Sequence, residues 1–446
     1  MEIDNRTLFL KRVPDSRAVN LINFIDASPT PHHAVQHMRS ILIREGFYEL
    51  EQGVEWYLNM GSGYFVLNNG SIIAFRVGQD GLVTDGCRII AAHTDSPNLR
   101  LKPKPVVDRS GYAGLLVEPY GGVLLSSWLD RDLSLAGVIY TREKTGVILE
   151  RLIKVSRPVA RISQLAIHLN REVNEKGLVV NPQTQMLPVI GLTDSGVLPA
   201  KRFEEFIREY GGISDESIIL SSDLSLYDTQ ASAFGGLDGE FIYAPRLDNL
   251  ASCYSAIEAL INVSDNPKNT AVVACFNHEE VGSASAEGAD SPFLQNTLER
   301  ISLGRSFGPP RRDEIYRMMA NSFCISSDMA HALNPNYPEK HESAHAPVLN
   351  GGMVIKTNVN QRYATDARTT LCFMELCAEA GVPYQHFVNR ADLACGSTIG
   401  PITSSRLGIP TVDVGAPMFS MHSIRECVGT SDIIDMVKVY TSFFAQ

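Results

Sequence analysis

Thr270-Ala271-Val272-Val273-Ala274-Cys275-Phe276-Asn277-His278-Glu279-Glu280-Val281-Gly282-Ser283 is the stretch from which the fold can be read. Its first seven residues form an apolar, β-branched run bounded by polar residues, the pattern of a strand buried on both faces. Two adjacent carboxylates at the end of such a strand are costly unless something there needs them. A metal centre needs both: one carboxylate to bind the ion and one to move protons. Further His and Asp residues are then expected at other strand ends.

They are found. Arg88-Ile89-Ile90-Ala91-Ala92 runs into His93-Thr94-Asp95-Ser96-Pro97. Phe323-Cys324-Ile325-Ser326-Ser327 runs into Asp328, Asp248 stands just before a helix, and His422 follows the last strand and its loop. In an open α/β sheet, sites gather at the carboxyl ends of the strands. A set of two histidines and three carboxylates, His93, Asp248, Glu280, Asp328 and His422, suits zinc, cobalt or manganese and not calcium, which prefers an all-oxygen shell. No HExxH motif is present, since His278 has no second His at the required spacing.

The stoichiometry suits two ions sharing one Asp, each ion then holding one His, one private carboxylate and an open position for water. Two divalent ions, three carboxylates and a bridging hydroxide sum to a near-neutral site that can be buried. Glu279 is left unligated, free to take a proton from water and return it to a leaving amine. Asp95 can accept a hydrogen bond from His93 and fix its tautomer. It can equally be a turn cap before Pro97.

The rest of the chain supplies the frame. Thr30-Pro31 opens a helix that ends at Gly46, and Asn68-Asn69-Gly70 separates two strands in a hairpin. Helices are expected over 250–261, 292–301, 312–320, 366–380 and 431–444, and strands over 323–327, 384–388 and 411–414. The expected fold is α/β: a mixed, mostly parallel sheet flanked by helices, built from residues 1–100 and 236–446. Residues 101–235 change texture, with frequent Pro and Gly and short β-branched runs, and read as a mostly β insertion with one helix near 199–210. The first sixteen residues read as a short extension with no assignable role.

The net charge of −11 argues against nucleic acid as a partner. No apolar run reaches the ~18 residues of a membrane span. The apolar patch Leu8-Phe9-Leu10 is too short for a signal-peptide core, and the eight cysteines form no CxxC pair. A cytoplasmic protein with buried free thiols is the expectation.

The chain resembles the M18 metallopeptidases, the aspartyl aminopeptidases. The resemblance is carried by Ala92-His93-Thr94-Asp95-Ser96-Pro97, Arg246-Leu247-Asp248-Asn249, His278-Glu279-Glu280-Val281-Gly282-Ser283, Ser327-Asp328-Met329-Ala330-His331 and Met421-His422-Ser423-Ile424-Arg425-Glu426. Leu165-Ala166-Ile167-His168-Leu169-Asn170-Arg171, Gln361-Arg362-Tyr363-Ala364-Thr365 and Cys395-Gly396-Ser397-Thr398-Ile399-Gly400-Pro401 add to it. It implies a zinc-exopeptidase-like catalytic domain split by a dimerisation domain. It implies two Zn2+ per subunit, with Co2+ or Mn2+ as substitutes: Asp248 bridging, His93 and Asp328 on one ion, Glu280 and His422 on the other.

It also implies removal of N-terminal Asp or Glu from peptides, by attack of a metal-bridging hydroxide with Glu279 as general base. Substrate contacts would fall on His168, His331, Lys356 and Tyr363, with His168 reaching a neighbouring subunit's site. Dimers would assemble into a dodecamer. The alternatives are a dinuclear aminopeptidase or deacylase of other specificity and, more remotely, a non-catalytic assembly protein of the same fold.

Overall fold

The computed structural model of the chain describes residues 14–79, 81–193, 197–304 and 312–446. The chain divides into two compact units: Met1–Asp95 with Ser232–Met421 and Glu426–Gln446, and Ser96–Ala231 with His422–Arg425.

The first unit is built on a nine-stranded sheet of β1 (Tyr48–Leu50), β2 (Gly63–Asn68), β3 (Ser71–Arg76), β4 (Cys87–His93), β5 (Thr270–Phe276), β6 (Phe323–Ser327), β7 (Met353–Thr357), β8 (Tyr384–Val388) and β9 (Thr411–Gly415). Their spatial order is β1-β2-β3-β5-β4-β6-β9-β7-β8. The pairs β1–β2, β5–β4, β4–β6, β6–β9 and β7–β8 are parallel; β2–β3, β3–β5 and β9–β7 are antiparallel. The mixed, mostly parallel sheet expected from the sequence is the one observed.

Its longer helices are α1 (Ser16–Ala27), α2 (Pro31–Arg44), α3 (Leu247–Ile261), α4 (Phe293–Gly304), α5 (Arg312–Asn321), α6 (Ala367–Ala380), α7 (Ile399–Leu407) and α8 (Thr430–Ala445). Strand alternation decides which helices meet which face. Ala271, Val273 and Cys275 of β5 pack with α1, α2, α3, α6 and α8. Val272, Ala274 and Phe276 point the other way, onto α4 and α5. A central strand covered on both faces is buried at every position, as β5 is, and apolar at all of them after Thr270.

Several elements depart from the expectations. Asp15 caps α1 by accepting the Arg17 N–H, so Ser16 opens a helix and does not close an extension; residues 1–13 lie outside the described residues. Helix α7, with Gly400 inside it, is one that the sequence pattern does not announce. A small five-stranded sheet also appears, made of Ala233–Gly235, Phe241–Ala244, Glu426–Gly429, Pro417–Phe419 and Ala330–His331. Its strands are too short to leave a periodic signal.

The second unit is a six-stranded antiparallel sheet with one longer helix, Pro199–Gly211, over an apolar core that includes Leu99, Leu115, Leu135 and Leu226. All eight cysteines are free thiols. No helix among the described residues is long and apolar enough to cross a membrane.

Candidate metal centre

His93 closes β4 and is buried. Its Nδ1 lies 3.0 Å from the main-chain oxygen of Asp95 and 3.4 Å from the Asp95 carboxylate. Donation from Nδ1 leaves Nε2 as the free donor nitrogen. Nε2 lies 3.4 Å from Asp248 Oδ1 and 3.9 Å from Asp328 Oδ2. The expected Asp95–His93 pairing is therefore made mainly by the Asp95 backbone. Its carboxylate does a second job, accepting the main-chain N–H of Glu279 at 3.2 Å and of Glu280 at 3.1 Å.

That second job settles how two adjacent carboxylates can serve one place. On a strand, neighbouring side chains point apart. Here β5 ends at Phe276, His278 turns into the left-handed region at φ +67, and Glu279–Val281 form a single 3-10 turn. Glu279 and Glu280 thus sit beyond the strand, not on it. A left-handed non-glycine residue costs roughly 1–2 kcal/mol. Local bonds offset this: His278 N–H donates to Asn277 Oδ1 at 2.9 Å, and Ser283 N–H to the His278 carbonyl at 2.7 Å. The His278 ring is held on Ser285 Oγ at 2.8 Å.

Asp248 stands where helix α3 has not yet become helical. Arg246 is left-handed at φ +56, and Asp248 and Asn249 have non-helical angles joined by a cis peptide bond. The break is held from several sides. The Arg246 guanidinium donates to the Ser28 and Ile25 carbonyls, Asn249 Nδ2 donates to the Ser327 carbonyl, and the Asp248 N–H donates to Glu426 Oε2. One donor atom each from His93, Asp248 and Glu280 then lies within 4.8 Å of the others.

The electrostatics ask for a cation. Burial pushes the Glu279 carboxyl up to about 8, with Asp328, Glu280 and Asp248 adding to it against His93. Burial also raises Asp328, opposed chiefly by Lys356, whose Nζ is 3.6 Å away. Burial alone would lower His93, but Asp248 and Asp95 outweigh it and hold the imidazole well above its ordinary value. Asp95, Asp248, Glu279, Glu280 and Asp328 thus share two nearby cationic groups, His93 and Lys356. A divalent ion on imidazole nitrogen and carboxylate oxygen relieves the excess, and the donor set fits zinc.

The remaining sequence candidates separate by unit. Lys356 on β7 is buried and donates to the Met329 carbonyl at 3.2 Å. Tyr363 is also buried, its ring 5.2 Å from Lys356 Nζ. His331 is exposed and packs edge-on to Phe387, the ring that Tyr363 also touches. His168 belongs to the second unit, exposed in the short turn Ile167–Leu169. His422 is assigned to the second unit as well, left-handed at φ +68, with Nδ1 3.2 Å from the Gly122 carbonyl oxygen. Sequence reasoning missed Glu426, although it closes one of the quoted motifs. A buried acid that works through another residue's backbone leaves no spacing to read.

The family model described as Aminopeptidase I zinc metalloprotease (M18) matches residues 24–444. The chain belongs to the M18 family. It is 46% identical over 430 residues to a probable M18 family aminopeptidase 2 of Stutzerimonas stutzeri, covering 95% of this chain and 97% of that one. The cryo-EM structure of the Ape4 and Nbr1 complex matches with a TM-score of 0.91 at 39% identity, over 96% of this chain and 85% of that one. The S. cerevisiae mApe1 dodecamer matches with a TM-score of 0.84 at 30% identity, over 96% of each chain. M18 members are zinc metallo-aminopeptidases, and this chain is one of them.

Proposed function

We propose that this M18 enzyme removes acidic residues, Asp or Glu, from the N-terminus of peptides, using two zinc ions per subunit. The observation that carries the reading is the convergence of His93, Asp248 and Glu280 donor atoms within 4.8 Å, with Glu279 beside them. Asp248 would be shared, with His93 and Asp328 on one ion and Glu280 and His422 on the other. Bound zinc supplies Lewis acidity, polarising a carbonyl and making water a stronger acid near neutral pH.

The protein's own groups do the rest. Glu279 takes the proton of the attacking water and delivers it to the leaving amine. Asp95 holds Glu279 and Glu280 by their main-chain N–H groups and so acts as a positioning residue. Tyr363 and His331 donate to the oxygen that gains charge. Lys356 directs Nζ toward Asp328 and Met329, and its third N–H offers a point charge for an acidic side chain.

The mApe1 relative is a dodecamer. We read this chain as self-assembling likewise, with residues 101–235 as the dimerisation domain and His168 reaching a neighbouring subunit's site. Eight free thiols favour a cytoplasmic setting.

The deciding experiment is a panel of N-terminal amino-acid amides, assayed with and without chelator. Asp and Glu amides should be cleaved well ahead of Leu and Lys amides, and chelation should stop all turnover. Equal cleavage of Leu and Asp substrates would sink the acidic specificity. Activity that survives complete zinc removal would sink the mechanism.

A further inference from the structure

Asp413 lies on β9, between the strands that lead to Asp328 and carry Lys356. It is fully buried, and no step above uses it. Its Oδ2 accepts the main-chain N–H of Ala364 at 2.6 Å, and Oδ1 accepts the Thr398 hydroxyl at 2.6 Å. Its own N–H donates to Thr365 Oγ1 at 2.9 Å. Thr398 is the residue before helix α7, but its hydroxyl makes no cap bond there and donates to Asp413. Gly400 has no side chain for a matching reason: a Cβ would stand 2.2 Å from Asp413 Oδ2.

One carboxylate therefore pins two loops. The first carries Tyr363, next to Ala364. The second carries Cys395, which packs against the apolar cluster that holds Tyr363, and Ser397, which donates to the Arg362 carbonyl at 3.3 Å. Both loops end in structure that cannot slide: Asp366 caps α6 through a capping box, and Ile399 opens α7.

We infer that Asp413 is a positioning residue for Tyr363, fixing the phenol beside Lys356 by clamping the 361–366 and 395–399 loops to β9. The inference rests on the substrate role proposed for Tyr363. A bland alternative is that Asp413 satisfies core hydrogen bonds and nothing more. The two differ in what Asp413 is coupled to.

The test uses the zinc-loaded, full-length enzyme and an N-terminal Asp amide, with the variants Asp413→Asn, Thr398→Val, Tyr363→Phe and their combinations. Thr398→Val removes one clamp bond at nearly constant shape and serves if Asp413→Asn folds poorly. Each clamp variant should keep its zinc and lose about 10- to 100-fold in kcat, the scale for a displaced catalytic group. In the Tyr363→Phe background the same change should cost less than about twofold, since two residues acting as a unit are not additive.

Alkylation of Cys395, followed by peptide mass, should speed up about tenfold in the clamp variants as the loop opens, while Cys372 and Cys427 keep their rates. Additive kcat losses, a kcat within twofold of the parent, or an unchanged Cys395 rate would each overturn the inference. Tyr363→Phe with parental kinetics would overturn the role proposed for Tyr363 itself. A damaged Tyr363→Phe beside a silent Asp413→Asn would overturn only the clamp.

Discussion

The Glu426 carboxylate accepts the main-chain N–H of Asp248 at 3.2 Å, and both residues are buried. Asp248 lies at the break before α3, so this bond sets the direction of its side chain without Glu426 joining the donor cluster. Glu426→Ala should weaken zinc binding about 10- to 100-fold, the usual effect of losing a group that orients a ligand. Competition between the apo-protein and a chromogenic chelator measures it. Parental zinc affinity in a folded Glu426→Ala variant would refute the role.

Asp95 holds two donors at once. Replacing it with Ala strands the part-buried N–H groups of Glu279 and Glu280, at up to about 1–3 kcal/mol for each donor left unpaired. Asp95→Ala should therefore melt well below the parent and turn over poorly. Asp95→Asn keeps an acceptor oxygen and should recover part of both. Differential scanning calorimetry on the two proteins separates the outcomes, and equal melting temperatures for Ala and parent would contradict the bond pattern.

Glu279→Gln keeps the shape of the side chain but cannot take up a proton. It should bind zinc normally and lose about 10²–10⁴-fold in kcat, the range for a general base. Metal analysis beside steady-state kinetics checks both halves. Near-parental turnover would remove Glu279 from its assigned role.

Burial pushes the Asp432 carboxyl up to about 7, although Asn350 and Gly352 donate main-chain N–H bonds to it. Its ordinary value is 3.8. A folded pKa above the unfolded one means the folded state holds the extra proton between these values. Its favourable contribution is complete below about pH 4 and is lost as pH rises through about 7. Asp432→Asn does not titrate, so its stability relative to the parent should improve from acid to pH 8 by up to about 4 kcal/mol. Urea midpoints of both proteins at the two pH values give the answer; a difference that does not change with pH would rule it out.

Much of this was legible in the sequence where side chains repeat or bear charge. The β5 run and helices α3, α4, α5, α6 and α8 are legible because both faces of the sheet are covered. Strand β7 escaped because Gly351-Gly352 precede it and Lys356 interrupts its apolar run. Helix α7 escaped because Gly400, Pro401, Thr403, Ser404 and Ser405 are poor helix formers, and tertiary contact overrides them. In the candidate site, His93, Glu279, Glu280 and Asp328 could be named from strand ends and Asp248 from a helix start. Asp413 and Glu426 could not, because each grips the backbone of a residue far away in the chain.

Helix α3 has thirteen of its fifteen residues buried, Asp248 among them. A helix enclosed on every side has no solvent face from which to fray, so it opens only when the core does. Its amides should exchange with solvent at nearly the global unfolding rate. Zinc held partly by Asp248, as proposed, would then rest on a mount that loosens only when the surrounding core does, whatever the nearby loops are doing.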